Sequence, residues 1–343
     1  MDIVILLSIT LLIYLLPQNK EYLCVKSTSG LRGFLALGII FHHLSPWVTT
    51  GSEFSNFSYM GAYIVSIFFF LSAYGLYNQN ENKKNYLDKF LVTRLSKILL
   101  PFFAVSLIYL LYRFVDGQLL DLNFFISLFK NGSTIIFNGW FVNVIILLYI
   151  FFYTSFNFLQ NKLLSIILNS ILIIFYICLA IKMGYGFWWY NSTLAFILGL
   201  IWAKYQDVID KVLDRYYFVV LFSVAVLLFV SHHYGNLLSY LHIEDSYSYA
   251  LAANINNIIF TIYFVVSFLK KINFSNIFLI LLGGISFELY MIHGLVISML
   301  GKIFVSSPVN DVLLTIFTLI ISISLAWIVN KLVNTITTKV NLL

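Results

Sequence analysis

The segment from Gly30 to His43 places an arginine near the start of a membrane-length apolar stretch and two histidines near its middle. Charged and titratable side chains cost a few kcal/mol in hydrocarbon, so they are rare there and mostly functional. Arg32 and His43 are eleven residues apart. At about 100° per residue, their side chains point within about 20° of each other on one helix face, and they lie about 16 Å apart along the axis. Since neutral imidazole accepts protons and guanidinium binds phosphate, this spacing predicts acid–base chemistry at His43 and an anion contact at Arg32.

Both residues also have plainer interpretations. Arg32 could be a positively charged anchor that snorkels to the membrane surface, and His43 could hydrogen-bond a neighbouring helix. His42 points about 80° away from His43 on a helix, so we interpret it as structural.

Three further polar residues fall within the last apolar segments. Glu288 is the only one of 14 acidic residues expected near mid-membrane, about 18 Å deep, so its carboxyl must be protonated or paired. His43 is the partner we consider for it. Tyr290 and His293 lie three residues apart on one helix face near the outer surface, where they are candidates for substrate contacts or for an interfacial polar belt.

Two cations and one acid complete the candidate site. Arg94 and Lys97 precede Pro101 on the side expected to be inside, where they are either positive-inside charges or a phosphate clamp formed with Arg32. Glu53 lies in the next outer loop and is a candidate for orienting an acceptor hydroxyl.

The composition predicts an all-α, polytopic transmembrane helix bundle. Of 343 residues, 61% are hydrophobic and 10% are charged, against about 25% charged in soluble domains. Apolar segments long enough to span a bilayer predict about eleven helices. They are 3 to 16, 31 to 47, 59 to 77, 97 to 115, 139 to 158, 163 to 182, 187 to 204, 216 to 232, 249 to 269, 276 to 300 and 311 to 330.

Lysine and arginine set the expected orientation. With the amino terminus outside, all but four of the 20 lysines and arginines fall on the inner side. The exceptions are Arg113, Lys130, Lys182 and Lys302. This bias predicts a cytoplasmic carboxyl terminus and indicates no role in binding nucleic acid. We expect the membrane to be a bacterial-type plasma membrane.

Several common sites are not found in the sequence. It has no Walker A phosphate loop, no H-E-x-x-H zinc helix and no G-x-S-x-G nucleophile elbow. Adjacent histidines diverge by about 100° on a helix, so no metal site is predicted.

Taken in order, these segments resemble the membrane acyltransferase-3 family. The likeness covers about residues 28 to 330 and begins with an arginine–glycine pair, Arg32 and Gly33, followed by His43 eleven residues after the arginine. It continues through 68 to 72, 94 to 101, the Trp140–Phe141 helix start and 286 to 293. Two departures are Ala73 in place of a glycine and Lys97 in place of an arginine.

The resemblance implies a membrane O-acyltransferase, with residues 1–27 as an extra amino-terminal helix and inner loop, and 28–343 as the acyltransferase-like domain. It implies acetyl-CoA as donor and an extracytoplasmic polysaccharide or lipid-linked glycan precursor as acceptor. His43 and Glu288 would be catalytic, while Arg32, Arg94 and Lys97 would bind the donor.

Two other functions fit the polar residues. A glycolipid transporter or flippase would use buried arginine, histidine and glutamate as a substrate or proton path. A non-catalytic membrane subunit or sensor would not need the Arg32–His43 pair for chemistry.

Overall fold

A computed structural model describes residues 3–118, 120–130, 133–241, 245–304 and 307–339. Throughout these residues the secondary structure is helical, with no β-strand, as predicted. The α-helices are α1 (Ile3–Tyr14), α2 (Val25–Leu44), α3 (Gly61–Asn82), α4 (Phe90–Val115), α5 (Leu122–Lys130), α6 (Trp140–Phe158), α7 (Lys162–Lys182), α8 (Leu194–Lys204), α9 (Gln206–Tyr240), α10 (Ser246–Phe264), α11 (Ile277–Gly284), α12 (Ser286–Gly301) and α13 (Pro308–Lys339).

The apolar helices make this an integral membrane protein. Within the described residues, seven helices are long and apolar enough to cross a bilayer, or eight if the bent pair α11–α12 counts as one span. Each of the eleven predicted segments contains helix, but α1 has only 12 residues, about 18 Å of axis, against a bilayer core of about 30 Å. Eleven crossings therefore stay a prediction.

Two predicted spans are interrupted. Segment 276 to 300 bends by 76° between α11 and α12, at the residues Gly283, Gly284 and Ile285. In segment 187 to 204, a 3₁₀ turn at Phe187–Trp189 precedes α8, which begins only at Leu194. Hydropathy averages over such breaks, because it counts apolar side chains and is insensitive to backbone geometry.

The chain divides into two compact units. The first unit is 1–28, 62–87 and 151–276. In it, Asn254 and Asn257 of α10 donate hydrogen bonds to backbone carbonyls of the non-helical segment before α8. Asn254 Nδ2 donates to the Tyr190 carbonyl at 2.9 Å, and Asn257 Nδ2 donates to the Asn191 carbonyl at 2.8 Å. Irregular backbone at membrane depth needs such partners, because hydrocarbon offers none.

The second unit is 29–61, 88–150 and 277–343. It holds α4, most of α2, and α11 to α13, with α12 and α13 packed on each other and on α4. Beyond the ends of α4 and α12, Lys302 Nζ donates to both carboxylate oxygens of Asp116 at 2.9 and 3.0 Å. These hydrogen bonds lower the pKa of Asp116.

Two glycines let α2 and α11 approach backbone to backbone. A Cβ on Gly33 would collide with the Leu279 carbonyl oxygen, and one on Gly283 would collide with the Ser29 carbonyl oxygen. Gly33 thus has a packing role beside Arg32. It sets the contact of α2 with α11, while the arginine stays exposed.

We expect Gly33→Ala and Gly283→Ala each to lower the free energy of unfolding by about 1–3 kcal/mol, because added volume forces a packed backbone contact apart. Thermal unfolding of the purified protein in detergent would measure the loss. Gly75→Ala in α3 is the matched control, since a Cβ there meets no atom within 4 Å. Equal melting temperatures for all three variants would contradict the assigned contact.

Candidate functional site

His43 lies in the last turn of α2, and its partner is His293 of α12. The His43 Nδ1 and His293 Nε2 atoms are 2.6 Å apart. The two rings are parallel within 7°, with centroids 4.8 Å apart. His293 is fully buried at 0% exposure, whereas His43 is half-buried. The pair therefore has one ring inside the helix packing and one ring at its edge.

Hydrogen bonding fixes the tautomers of this histidine pair. His293 Nδ1 lies 3.0 Å from the Leu289 carbonyl oxygen, which can only accept, so this nitrogen carries the hydrogen. In a neutral ring the other nitrogen is then the acceptor. His43 must donate to it through Nδ1–H. The lone pair of His43 consequently lies on Nε2, on the side of the ring away from His293.

His43 lines a cavity of about 500 Å³. The other residues around this cavity come from the end of α2, the loops beside it and the middle of α12. They are His42, Ser45, Pro46, Trp47, Ser58, Phe137, Asn138, Gly294, Ile297 and Ser298. The unprotonated nitrogen of His43 thus belongs to a ring that borders space large enough for a small reacting group.

Asn138 is held beside His43 in an uncommon backbone conformation. Its φ is 59°, in the left-handed region where asparagine is among the few non-glycine residues found. Its carbonyl oxygen accepts a hydrogen bond of 2.5 Å from the Tyr290 hydroxyl. Its side-chain Nδ2 lies 3.5 Å from His43 Nδ1. Because that ring nitrogen already donates to His293, it cannot accept a hydrogen bond from the Asn138 amide.

Tyr290 and His293 are more deeply placed than the sequence indicates. Tyr290 is 8% exposed and His293 is fully buried. One holds the Asn138 backbone and the other holds the His43 ring. Both residues therefore contact residues of the cavity wall, whereas direct contact with a substrate stays a prediction.

Glu288 has a different partner from the one considered in the sequence. Its Oε1 accepts a hydrogen bond of 2.9 Å from Asn330 Nδ2 of α13, while His43 contacts His293. The carboxyl is buried at 5% exposure, so the amide compensates part of its desolvation. A catalytic role for Glu288 stays a prediction.

The predicted donor-binding cations lie near the starts of two helices. Arg32 is in the second turn of α2, and Arg94 and Lys97 are in the first two turns of α4. Arg32 and Lys97 are exposed, and Arg94 is half-buried. Glu53 begins a 3₁₀ helix, Glu53–Tyr59, and its side chain lies outside the described residues.

Comparison with protein families identifies the class of the chain. The family model described as the acyltransferase-3 acyltransferase domain matches residues 26–331. The chain belongs to the acyltransferase-3 family. It is a membrane acyltransferase, and the family resemblance of the sequence is confirmed. Searches of curated proteins and of solved structures gave no significant match.

Two residues of this acyltransferase, Asn138 and Asn330, were not predicted from the sequence. Asn138–Gly139 is an asparagine–glycine pair, which is a turn signal and a pointer to positive φ. That signal identifies a turn, but it cannot show that the turn lies against His43. Asn330 looks like an ordinary polar residue within an apolar helix, and only the packing of α13 on α12 reveals its contact with Glu288.

Proposed function

We propose that this acyltransferase moves an acetyl group from acetyl-CoA to a hydroxyl of an extracytoplasmic polysaccharide or its lipid-linked precursor. The observation that carries the proposal is the histidine pair. It presents His43 as a neutral imidazole whose Nδ1 is held by a buried neighbour and whose Nε2 is available as a base. A general base needs both the correct tautomer and a fixed ring.

In the proposed reaction, His43 Nε2 takes the proton of the acceptor hydroxyl as that oxygen attacks the thioester carbonyl carbon. The carbonyl π electrons move to oxygen, giving a tetrahedral oxyanion. As the C=O bond re-forms, the C–S bond breaks and the sulfur leaves. The imidazolium returns its proton to the sulfur, so the products are an acetyl ester and the free thiol of CoA.

His293 is a positioning residue in this proposal. It accepts from His43 Nδ1 and thereby keeps the proton-accepting nitrogen toward the cavity. When His43 becomes imidazolium, this hydrogen bond gains strength, because its donor is then charged.

Asn138 supplies the proposed oxyanion contact. Its side-chain amide borders the same cavity as His43. The nearest ring nitrogen, His43 Nδ1, is itself a donor and does not accept from this amide. Donors fixed where negative charge develops act without reorganisation during the reaction. The left-handed backbone and the Tyr290 hydrogen bond provide that fixation.

Donor binding rests on the predicted cytoplasmic cations. Acetyl-CoA carries phosphates at one end and its thioester at the other, and Arg32 lies about 16 Å from His43 along the α2 axis. We assign Arg32, Arg94 and Lys97 to the phosphates, with the pantetheine arm reaching toward the cavity. Lys97 acts as a point charge, whereas the arginines can bind phosphate in a bidentate manner.

The remaining assignments concern the acceptor side and the membrane. Glu53 is proposed to orient the acceptor hydroxyl. Glu288, which accepts a hydrogen bond from Asn330, is proposed to offset the positive charge of the His43 imidazolium. The enzyme is proposed to lie in a bacterial-type plasma membrane, with its amino terminus outside and its carboxyl terminus cytoplasmic. It takes acetyl groups from one side and glycans from the other.

The test is an assay of CoA thiol release and of acetyl transfer to a glycan fraction, with purified protein and labelled acetyl-CoA. Arg32→Gln should raise KM for acetyl-CoA about 10- to 100-fold with kcat little changed, because one charge-assisted contact to phosphate is worth about 1.5–3 kcal/mol. The expected effect lies in donor binding, since Arg32 is far from the reacting atoms.

Lys83→Gln is the matched control, because it removes an exposed cation that is bonded to Gln79 and has no assigned role. Its KM should match the wild-type value. If the wild-type protein releases no CoA and transfers no label while moving a glycolipid across vesicles, the transporter function replaces this proposal.

A further inference from the structure

Two adjoining cavities in the first unit have opposite chemistry. One has a volume of about 320 Å³ and is lined mainly by apolar side chains of α1 and α9, among them Leu7, Leu11 and Leu221. The other has a volume of about 550 Å³ and includes Arg215 and Lys271. Tyr14 and Phe218 line both cavities, so the two cavities meet at these rings. We call them the apolar end and the polar end of one groove.

Breaks in two helices shape the polar end. Helix α1 stops at Tyr14, shortly before Pro17, because proline supplies no N–H and clashes with a continuing helix. Helix α9 leaves helical geometry at Tyr216, where φ is −124° and ψ is 28°. Both changes of direction border the polar cavity. The apolar end runs along α1, which is too short to cover a bilayer core of about 30 Å by itself.

The polar end carries net positive charge. Lys271 Nζ donates to the carbonyls of Tyr14 and Leu16 at 3.0 and 2.5 Å, which uses two of its three hydrogens. Arg215 is exposed and lies over the Tyr216 ring, 5.1 Å from its centroid. Its neighbour Asp214 also lines this cavity.

Nearby Lys270 offsets that acid. Lys270 Nζ lies 3.9 Å from Asp214 and 3.0 Å from Asp210. Three cations therefore face two carboxylates around this end of the groove. The excess positive charge lies with Arg215 and Lys271, on the side that the lysine and arginine bias predicts to be cytoplasmic.

We propose that this groove binds one anionic phospholipid, with its phosphate between Arg215 and Lys271 and an acyl chain between α1 and α9. A headgroup of net negative charge suits the polar end, and a hydrocarbon chain suits the apolar end. The bound lipid fills the space between the short α1 and its neighbour, so it stabilises the position of α1. This site is separate from the acyl-transfer chemistry and does not depend on it.

The experiment uses the full-length protein, delipidated in detergent. Native mass spectrometry and thermal unfolding are recorded with phosphatidylglycerol, with phosphatidylcholine of the same chains, and with inorganic phosphate. We expect one phosphatidylglycerol per chain and a raised melting temperature, with no matching effect of phosphatidylcholine or phosphate. Equal binding of both lipids, or equal stabilisation by phosphate alone, would overturn the proposal.

Variants locate the site. Arg215→Gln should weaken phosphatidylglycerol binding about fivefold, since one basic residue contributes about 1 kcal/mol to binding an anionic lipid. Leu11→Trp should weaken it by filling the apolar end from an exposed position. Lys204→Gln is the control, because Lys204 also lies over a tyrosine ring but lines neither cavity. Unchanged affinity in both Arg215→Gln and Leu11→Trp would refute the assigned groove.

Discussion

His43→Ala should lower acyl transfer by about 10²- to 10⁴-fold, the usual contribution of a positioned general base. The variant should fold and insert normally, because His43 is only half-buried and the smaller side chain adds no volume to the helix packing. The rate of acetyl-CoA-dependent transfer, at matched amounts of folded protein, measures the effect. Full activity in His43→Ala would remove His43 from the chemistry.

His42→Ala is the adjacent control. His42 Nδ1 lies 2.9 Å from the Phe57 carbonyl oxygen, and its ring fills the space that a Cβ on Gly61 would enter. Its replacement loosens the contact between α2 and the following loop. One lost hydrogen bond costs about 0.5–1.5 kcal/mol, so we expect the rate of acyl transfer to fall by about tenfold or less. A larger loss than in His43→Ala would reverse the assignment of the two histidines.

The histidine pair gives a sharper test of the same base. His293→Gln offers an oxygen that can accept from His43 Nδ1, whereas His293→Leu offers none. Because His293 positions the base, the His293→Gln variant should retain a markedly higher kcat than the His293→Leu variant when the two have equal thermal stability. A merely structural role would lead activity to follow stability in both variants.

Periodicity and membrane cost were enough to select His43 and Arg32, because each depends on a single helix. A helix repeats every 3.6 residues, so positions on its faces can be counted without tertiary structure. Tyr290 and His293, three residues apart, lie on the same helix, α12, for the same reason. The apolar segments likewise identified the helical class, although composition could not show that α11 and α12 meet at a bend.

Contacts between distant segments were beyond this reasoning. His43 and His293 are separated by 250 positions, and nothing local to either one names the other. Glu288 was a reasonable partner for His43 on grounds of charge, but the packing of α13 brings Asn330 to it instead. The identity of a polar partner inside a bundle depends on helix order and rotation, which hydropathy does not encode.

Asn138→Gly should reduce kcat by about 10²- to 10³-fold, the usual cost of removing one oxyanion donor. Glycine keeps the left-handed backbone, for which φ is 59° here, so the change removes the amide without straining the loop. The carbonyl that accepts from Tyr290 is also retained. Transfer kinetics at saturating acetyl-CoA, with thermal unfolding in parallel, measure the two effects separately.

Two more replacements separate the amide from the backbone. Asn138→Ala also removes the amide, but a Cβ in the left-handed region costs about 1–2 kcal/mol, so it should be both slow and less stable. Asn138→Asp keeps the size of the side chain and replaces its donors with a negative charge, which repels an oxyanion. Its kcat should therefore be no higher than that of the Asn138→Gly variant.

Wild-type kcat in Asn138→Gly would show that Asn138 acts only through its backbone. The oxyanion contact would then have to come from another group around the cavity, and Ser298 would be the first to test because its hydroxyl can donate.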